Sequence, residues 1–351
     1  MLVWRDRAIG LGLRLLHASR AHRLAAPLTR GAGVILMFHR VRPANDDDFA
    51  PNAGLEITPQ FLDLLLHHLR ARGYEILSLD AALALLGSER PRARPFAVLT
   101  FDDGYCDLVD HALPILERHR APFVAYLTAG FADGAARLWW LELEESIRRL
   151  AQIDIAVAGR RIVRRCESAR EKQAAFAEVY RAIRGGGETA LLTVVAALSA
   201  RAGVDAGAMA AQSCLDWGAI RSLARYELAT IGAHSLTHPR LAKLDATAAR
   251  REMAESRARI MEETGVAPRH FCYPVGDRTS AGRREFDLAA ELGFESAVTT
   301  RPGLIFPDHR HHAHALPRLS VNGKFQSLAA LDVLLSGAPF ALLNRGRRVS
   351  A

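Results

Sequence analysis

"PFAVLTFDDG", residues 95–104, sets a short apolar run directly against two adjacent aspartates and a glycine. The run has the length and composition of a buried strand. The aspartates therefore stand at the strand's carboxyl end. Like charges that close repel each other, so the pair costs stability unless something offsets it. A simple turn is one reading, since Asp and Gly are favoured there; a functional site is the other.

Similar signals flank this stretch. "GVILMFHRV" (33–41) is a second buried strand. "TPQFLDLLLHHLRARGY" (58–74) carries helix signals: Thr58 at the N-cap, Pro59 at the first helical position and Gly73 past the end. A short strand and a helix follow in "EILSLDAALALLG". "LVDHALPILERHRA" is helical and "PFVAYLTAGF" is again a strand. Further strands fall at "ELATIGAHS" (227–235), "HFCYP" (270–274), "ESAVTT" (295–300) and "ALPRLSV" (315–321). Strands alternating with helices at this spacing predict an α/β fold, a parallel sheet or (β/α) barrel. The regularity lapses between about 132 and 212, where the text is helical and rich in Ala, Arg and Glu, with "IDIAVAG" and "RIV" as its strand signals. We read an N-terminal basic extension (1–32), a barrel over 33–340 with a mostly helical insertion at about 132–212, and a solvated tail (341–351).

The chain has 351 residues, 50% hydrophobic and 24% charged, enough to bury a large core. A net charge of +8 points to anionic partners, but only 7% of residues are aromatic and no nucleic-acid-binding signature is present. Nucleic acid is therefore set aside. Cys106, Cys166, Cys214 and Cys272 show no C-x-x-C spacing, which argues against structural zinc and fits a reducing, cytoplasmic compartment. Arg5, Arg7 and Arg14 interrupt the apolar N-terminus, leaving no signal-peptide core, and no run reaches transmembrane length. A helix packed on the body is the favoured reading of this segment; weak membrane-surface contact through it is the alternative.

The second site candidate is "HSLTH", His234 and His238, after the apolar "ATIGA". At i,i+4 spacing the two imidazoles share a face if the segment turns helically, and such a pair can hold a divalent metal. It too stands at a strand's carboxyl end, the rim where α/β folds build active sites. Two His and one Asp make a three-ligand set with open positions, as in a catalytic metal site. The second Asp is then free to act as a base.

"TFDDG", "HSLTHP" and "FCYPVG", in this order, resemble the polysaccharide deacetylases of the NodB-homology (carbohydrate esterase family 4) type. The flanking "ILMFHRV", "IGAHSLTHPRL" and "LGFESAVTT" look like the same group, over roughly residues 33–131 and 215–321. The resemblance implies a distorted (β/α) barrel, a divalent ion such as Zn²⁺ and removal of an N-acetyl group from a sugar or oligosaccharide. It makes Asp103, His234 and His238 the metal ligands and Asp102 the general base. A backbone N–H that steadies the oxyanion falls at Val275.

Two departures matter. The family's arginine that braces the catalytic aspartate aligns with Cys272, and Arg318 in "LPRLSV" is the substitute we expect. The family's late L-x-H histidine, which protonates the leaving amine, is here "LPR". For that acid we look first to His39 and second to His314; the His-rich run 309–314 otherwise reads as a solvated loop. Trp139 and Trp140 read as anchors of the insertion rather than a sugar platform. Cys106 reads as a small buried residue, Asp107 and Asp110 as first-turn helix acids, and Thr237 as an acetate contact or a helix cap. The competing functions are a catalytically lapsed glycan-binding homologue and a non-haem Fe(II) oxygenase, which the same ligand set would suit.

Overall fold

The computed structural model describes residues 2–88, 94–157 and 159–349. Seven strands close a parallel barrel: β1 (Gly33–Phe38), β2 (Phe96–Phe101), β3 (Phe123–Leu127), β4 (Ala229–Ala233), β5 (His270–Cys272), β6 (Ser296–Pro302) and β7 (Leu316–Ser320). They follow chain order around the barrel, and β7 closes onto β1. The (β/α) barrel read from the sequence is thus present, and it is distorted: the β6–β7 register shifts between Val298 and Pro302.

β1, β2 and β3 are buried at every position, as expected for strands covered on both faces. The two-residue period sorts their side chains. Ile35, Val98, Val124, Tyr126, Cys272 and Val298 fill the lumen, whereas Leu36, Leu99, Phe101 and Phe123 pack outward. A Cβ at position 232 in β4 would come within 2.4 Å of the Tyr126 ring, so only glycine lets β3 and β4 pack this closely.

The surrounding helices form where the caps and apolar stripes predict. In Pro59–Ala71 the Thr58 side chain accepts from the Phe61 N–H, and Phe61, Leu62, Leu65, Leu66 and Leu69 are buried. Helix Leu79–Gly87 packs on the lumen cluster beside Phe96, the first residue of β2, at the barrel's amino-terminal end.

Between β3 and β4 stand helices Trp139–Arg149, Ala169–Gly185, Glu188–Ala202 and Ala206–Ser213. "IDIAV" of the first strand signal and "RIV" lie in the arms of one antiparallel hairpin, Gln152–Val157 with Arg160–Arg165, and Ala158 lies outside the described residues. These elements share their own apolar cluster, which includes Trp139, Leu143, Val179 and Val195. The N-terminal segment forms helices Leu2–Ala18 and Ala21–Thr29, the first packed on helix Leu328–Leu335. No single described helix is long and apolar enough to cross a membrane.

The run 309–314 is not the uniformly solvated loop expected. His309 is 1% exposed, because its ring folds back so that Nδ1 accepts from the Phe306 N–H.

Candidate active site

β2 points Val98 and then Thr100 into the lumen, and Asp102 continues that inward series at the carboxyl-terminal rim. The Asp102 N–H donates to Phe38 O, so the strand ladder carries through to the aspartate. Asp103 then turns away with φ 72, and Gly104 follows at φ 76. That reversal aims two neighbouring carboxylates at different places, which answers the repulsion the sequence posed.

Arg318 rises inside the barrel from β7. Its Nη1 and Nη2 donate to the two Asp102 oxygens at 2.7 Å each, and Nε donates to Thr299 O. Nη1 also donates to Thr100 Oγ1, and Nη2 lies 3.1 Å from Cys272 Sγ. Arg318 is thus the arginine that contacts Asp102, with Cys272 Sγ beside it. Burial alone would raise the Asp102 carboxyl; the Arg318 charge and hydrogen bonds outweigh it and hold the group below its ordinary value.

The second pair converges on Asp103. Nε2 of His234 and Nε2 of His238 each stand 3.3 Å from Asp103 Oδ1. His234 Nδ1 is 2.7 Å from Cys272 O, which leaves Nε2 free to face the carboxylate. Asp103 Oδ1 and His238 Nδ1 are buried without a hydrogen-bond partner among the described residues. An orphaned carboxylate oxygen facing two imidazole nitrogens fits a divalent cation placed between them. Burial would raise Asp103, but the facing His234 and His238 imidazoles hold it well below the carboxylate range. The two imidazoles diverge: burial lowers both, yet the Cys272 and Asp103 partners carry His234 well above its ordinary value while His238 stays lowered.

The His pair does not converge by helical turning. Ser235 and His238 both take positive φ, each 63, so the segment bends twice instead. Glu252, on helix Ala246–Thr264, holds that bend. Its Oε2 accepts from the Leu236 and Thr237 N–H groups, and its Oε1 accepts from Thr237 Oγ1 at 2.6 Å. Thr237 is thus neither a cap nor directed at substrate. The sequence signal for Glu252 was a carboxylate on the buried stripe of Ala249, Met253 and Ile260.

Val275, just past the carboxyl end of β5, takes φ 62 and is flanked by a Gly276 N–H to Pro274 O bond of 2.7 Å. A β-branched residue rarely tolerates this tight turn. The Val275 N–H donates to no described residue, while its carbonyl accepts from Thr300 Oγ1. His39 follows β1 at the same rim, near enough for its charge to act on Asp102, Asp103 and His238. His314 does not join them. It precedes β7, at the amino-terminal end of the barrel, and its Nε2 is engaged by Phe294 O at 2.7 Å.

The insertion walls the site. Trp140, 6% exposed, packs 4.9 Å from the His238 ring and donates to Tyr105 Oη, so it is a buried anchor, as is Trp139. Arg240, also buried, binds Arg184 O, Gly186 O and Glu188, tying the His238 segment to two insertion helices. The Asp-Asp-Gly turn meets the insertion's end: Leu215 N–H donates to Gly104 O, and Cys106 N–H to Ser213 O. Cys106 is half-buried rather than buried. Asp107 is not merely a first-turn acid; it accepts from Arg40 at 2.7 Å and from the Val41 N–H.

Two other groups gather metal-ligating atoms, Asp102–His234–Cys272 and Asp63–His67–His119. In the first, the Arg318 guanidinium already occupies both Asp102 oxygens; in the second, Arg118 and His119 already engage Asp63. A cation fits the Asp103 group best.

Among solved structures, the chain resembles the Streptococcus pyogenes deacetylase PplD in complex with acetate (17% identity, TM-score 0.57, covering 87% of this chain and 97% of that one). It also resembles IcaB from Ammonifex degensii (17%, TM-score 0.54, covering 87% and 98%). A third is a de-N-acetylase from Aggregatibacter actinomycetemcomitans (13%, TM-score 0.55, covering 86% and 98%). At such identities the likeness establishes the fold. No curated protein sequence matches the chain. The sequence profile described as polysaccharide deacetylase matches residues 89–160 and 189–297, more than half of the chain and inclusive of both the Asp-Asp and His-x-x-x-His segments. With motif, barrel and rim in agreement, the chain belongs to the polysaccharide deacetylase family, hydrolases of the amide bond of N-acetyl groups.

Proposed function

We propose that this protein removes acetyl groups from N-acetylated amino-sugar glycans in a reaction that depends on a divalent metal, Zn²⁺ fitting the donor set. The observation that carries the reading is the orphaned Asp103 Oδ1 facing two Nε2 atoms beside a separately braced Asp102. Asp103, His234 and His238 would hold the ion. When bound, it would polarise the amide carbonyl and make water acidic enough for a carboxylate of depressed pKa to deprotonate.

The chain's own groups account for the rest. Asp102, fixed by Arg318, accepts the proton of the water that attacks the acetyl carbon. The Val275 N–H, free and held by a strained turn, donates to the oxygen that becomes negative. His39 delivers a proton to the nitrogen as the C–N bond breaks, leaving a free amine and acetate. Trp140 and Tyr105 anchor the insertion, whose wall restricts water and selects the glycan. This wall favours short oligosaccharides or single chain ends, such as a chitooligosaccharide or an exopolysaccharide, over crystalline polymer.

Two absences suggest the lapsed, binding-only reading, the bracing arginine and the late histidine; the Arg318 contacts with Asp102 speak against the first, and the acid role proposed for His39 would answer the second. Family membership sets the oxygenase reading aside. The test is acetate release from a panel of N-acetylglucosamine oligomers, with and without added Zn²⁺. Full activity in metal-stripped protein, or sugar binding with no acetate release under any divalent ion, would sink the proposal.

A further inference from the structure

The two ends of the chain come together on one surface. Thr29 Oγ1, closing helix Ala21–Thr29, donates to Ser336 O just before helix Ala338–Leu343, and those two helices pack together. Helix Leu2–Ala18 joins them through a short turn and its own contacts with Ala21–Thr29. On this three-helix surface Leu11, Leu15, Leu24, Leu28, Leu342 and Leu343 are 54–84% exposed. Leu11 with Leu15, and Leu24 with Leu28, are i,i+4 pairs, so each pair shares a helix face. Isolated exposed leucines need no explanation, but six on adjoining helices form a patch that a soluble chain rarely leaves bare.

Within the two segments that carry these leucines, residues 9–32 and 338–349, the charge has one sign. Residues 9–32 and 338–349 contain no Asp or Glu, while Arg14, Arg20, Arg23, Arg30, Arg345 and Arg347 are all exposed. The acid on the supporting helix, Asp332, is already engaged by His68 and Arg72. A cavity of about 560 Å³ opens beside this surface, lined by Arg14, His17 and Lys324 together with Leu13 and Phe325. Exposed leucines and exposed arginines on segments without a carboxylate match a bilayer whose headgroups are anionic and whose interior is apolar. A second copy of this chain is a poor fit, because the same arginines would meet face to face.

We propose that the N- and C-terminal helices together form a docking face for an anionic lipid surface. The leucines enter the headgroup boundary and the arginines pair with lipid phosphates. Contact is peripheral, since no single described helix is long and apolar enough to cross. The docking face includes none of the metal-ligating residues and does not depend on their chemistry.

The experiment is co-sedimentation of the full chain with vesicles of phosphatidylglycerol and phosphatidylcholine, against phosphatidylcholine alone. Binding is expected only to the anionic vesicles, weakening as salt shortens the screening length from ~10 Å at 0.1 M to ~3 Å at 1 M. Replacing Arg20→Gln and Arg23→Gln should each cost roughly fivefold in vesicle affinity. Leu24→Ser with Leu28→Ser should remove most of the remainder, with circular dichroism and acetate release unchanged. Asp103→Asn should bind vesicles like the parent, so failure of the catalytic reading and failure of docking are distinguishable. Equal binding to neutral vesicles overturns the proposal. So does undiminished binding of the leucine and arginine variants, or a dimer that the leucine pair dissolves without any vesicle binding.

Discussion

Arg318 grips Asp102 through two parallel hydrogen bonds of 2.7 Å, with both side chains almost wholly buried inside the barrel. A guanidinium and a carboxylate in this geometry fix the plane of the base as well as its charge. Removing one partner leaves the other charged and unpaired in the interior. Arg318→Met should therefore cost about 3–5 kcal/mol in chemical denaturation. Asp102→Asn keeps one oxygen acceptor for Arg318, so the protein should still fold at some cost in stability, and it should lower kcat by roughly 10²–10⁴-fold. A stable, fully active Arg318→Met would refute the bracing role.

Metal should stabilise as well as activate. At about 100 times its Kd, a bound ion adds about 2.7 kcal/mol to unfolding. Thermal melts with and without a chelator should differ by several degrees in the parent. In Asp103→Asn that difference should vanish, because the ligand set is broken. An unchanged melt on chelation of metal-loaded parent protein would count against the assignment.

Val275 separates side chain from backbone. Val275→Gly relieves a positive φ and keeps the N–H, so activity should hold within a few-fold and stability should not fall. Val275→Pro removes the N–H and demands a φ near −65°, and kcat should fall by at least ~10²-fold. Equal kcat in the two variants would remove Val275 from the oxyanion role.

His39 is tested by leaving groups. His39→Gln should slow amide hydrolysis strongly but spare an acetyl ester, such as 4-nitrophenyl acetate, whose leaving group departs unprotonated. Equal losses on both substrates would point to a structural role.

His309 gives a pH prediction remote from catalysis. Burial lowers its imidazole from 6.5 to about 4 in the folded state. Between those values the unfolded chain binds a proton that the folded chain does not, so stability rises with pH. The contribution is complete above pH 6.5 and declines as pH falls toward 4, by about 3 kcal/mol in all. His309→Asn keeps an acceptor for the Phe306 N–H and should flatten that slope in urea titrations at pH 4.5 and 7.

The barrel was legible because its strands are short apolar runs buried on both faces, and such runs survive any register. Asp102, Asp103, His234 and His238 were legible because they sit in two short motifs at strand ends. Arg318 was reached by asking what could replace a missing arginine, and an alternating strand carried it inward. Glu252 and Arg240 act from separate segments on backbone groups, so no motif spacing marks their targets; for Glu252 the only local sign is its place on a buried helical stripe. The helical expectation for "HSLTH" failed for a similar reason: Ser235 and His238 take positive φ in a bend that Glu252 ties from a separate helix. His314 misled because proximity in sequence to Arg318 conceals a change from one end of a strand to the other.

Of the seven non-glycine residues with positive φ among those described, four are Asp103, Ser235, His238 and Val275. Each is an uphill conformation of order 1–3 kcal/mol held by its surroundings. The rim is thus where this chain has most to gain by changing. A population propagated for thermal robustness alone, with no demand for turnover, would be expected to lose these four residues early, and the barrel beneath them would outlast its chemistry.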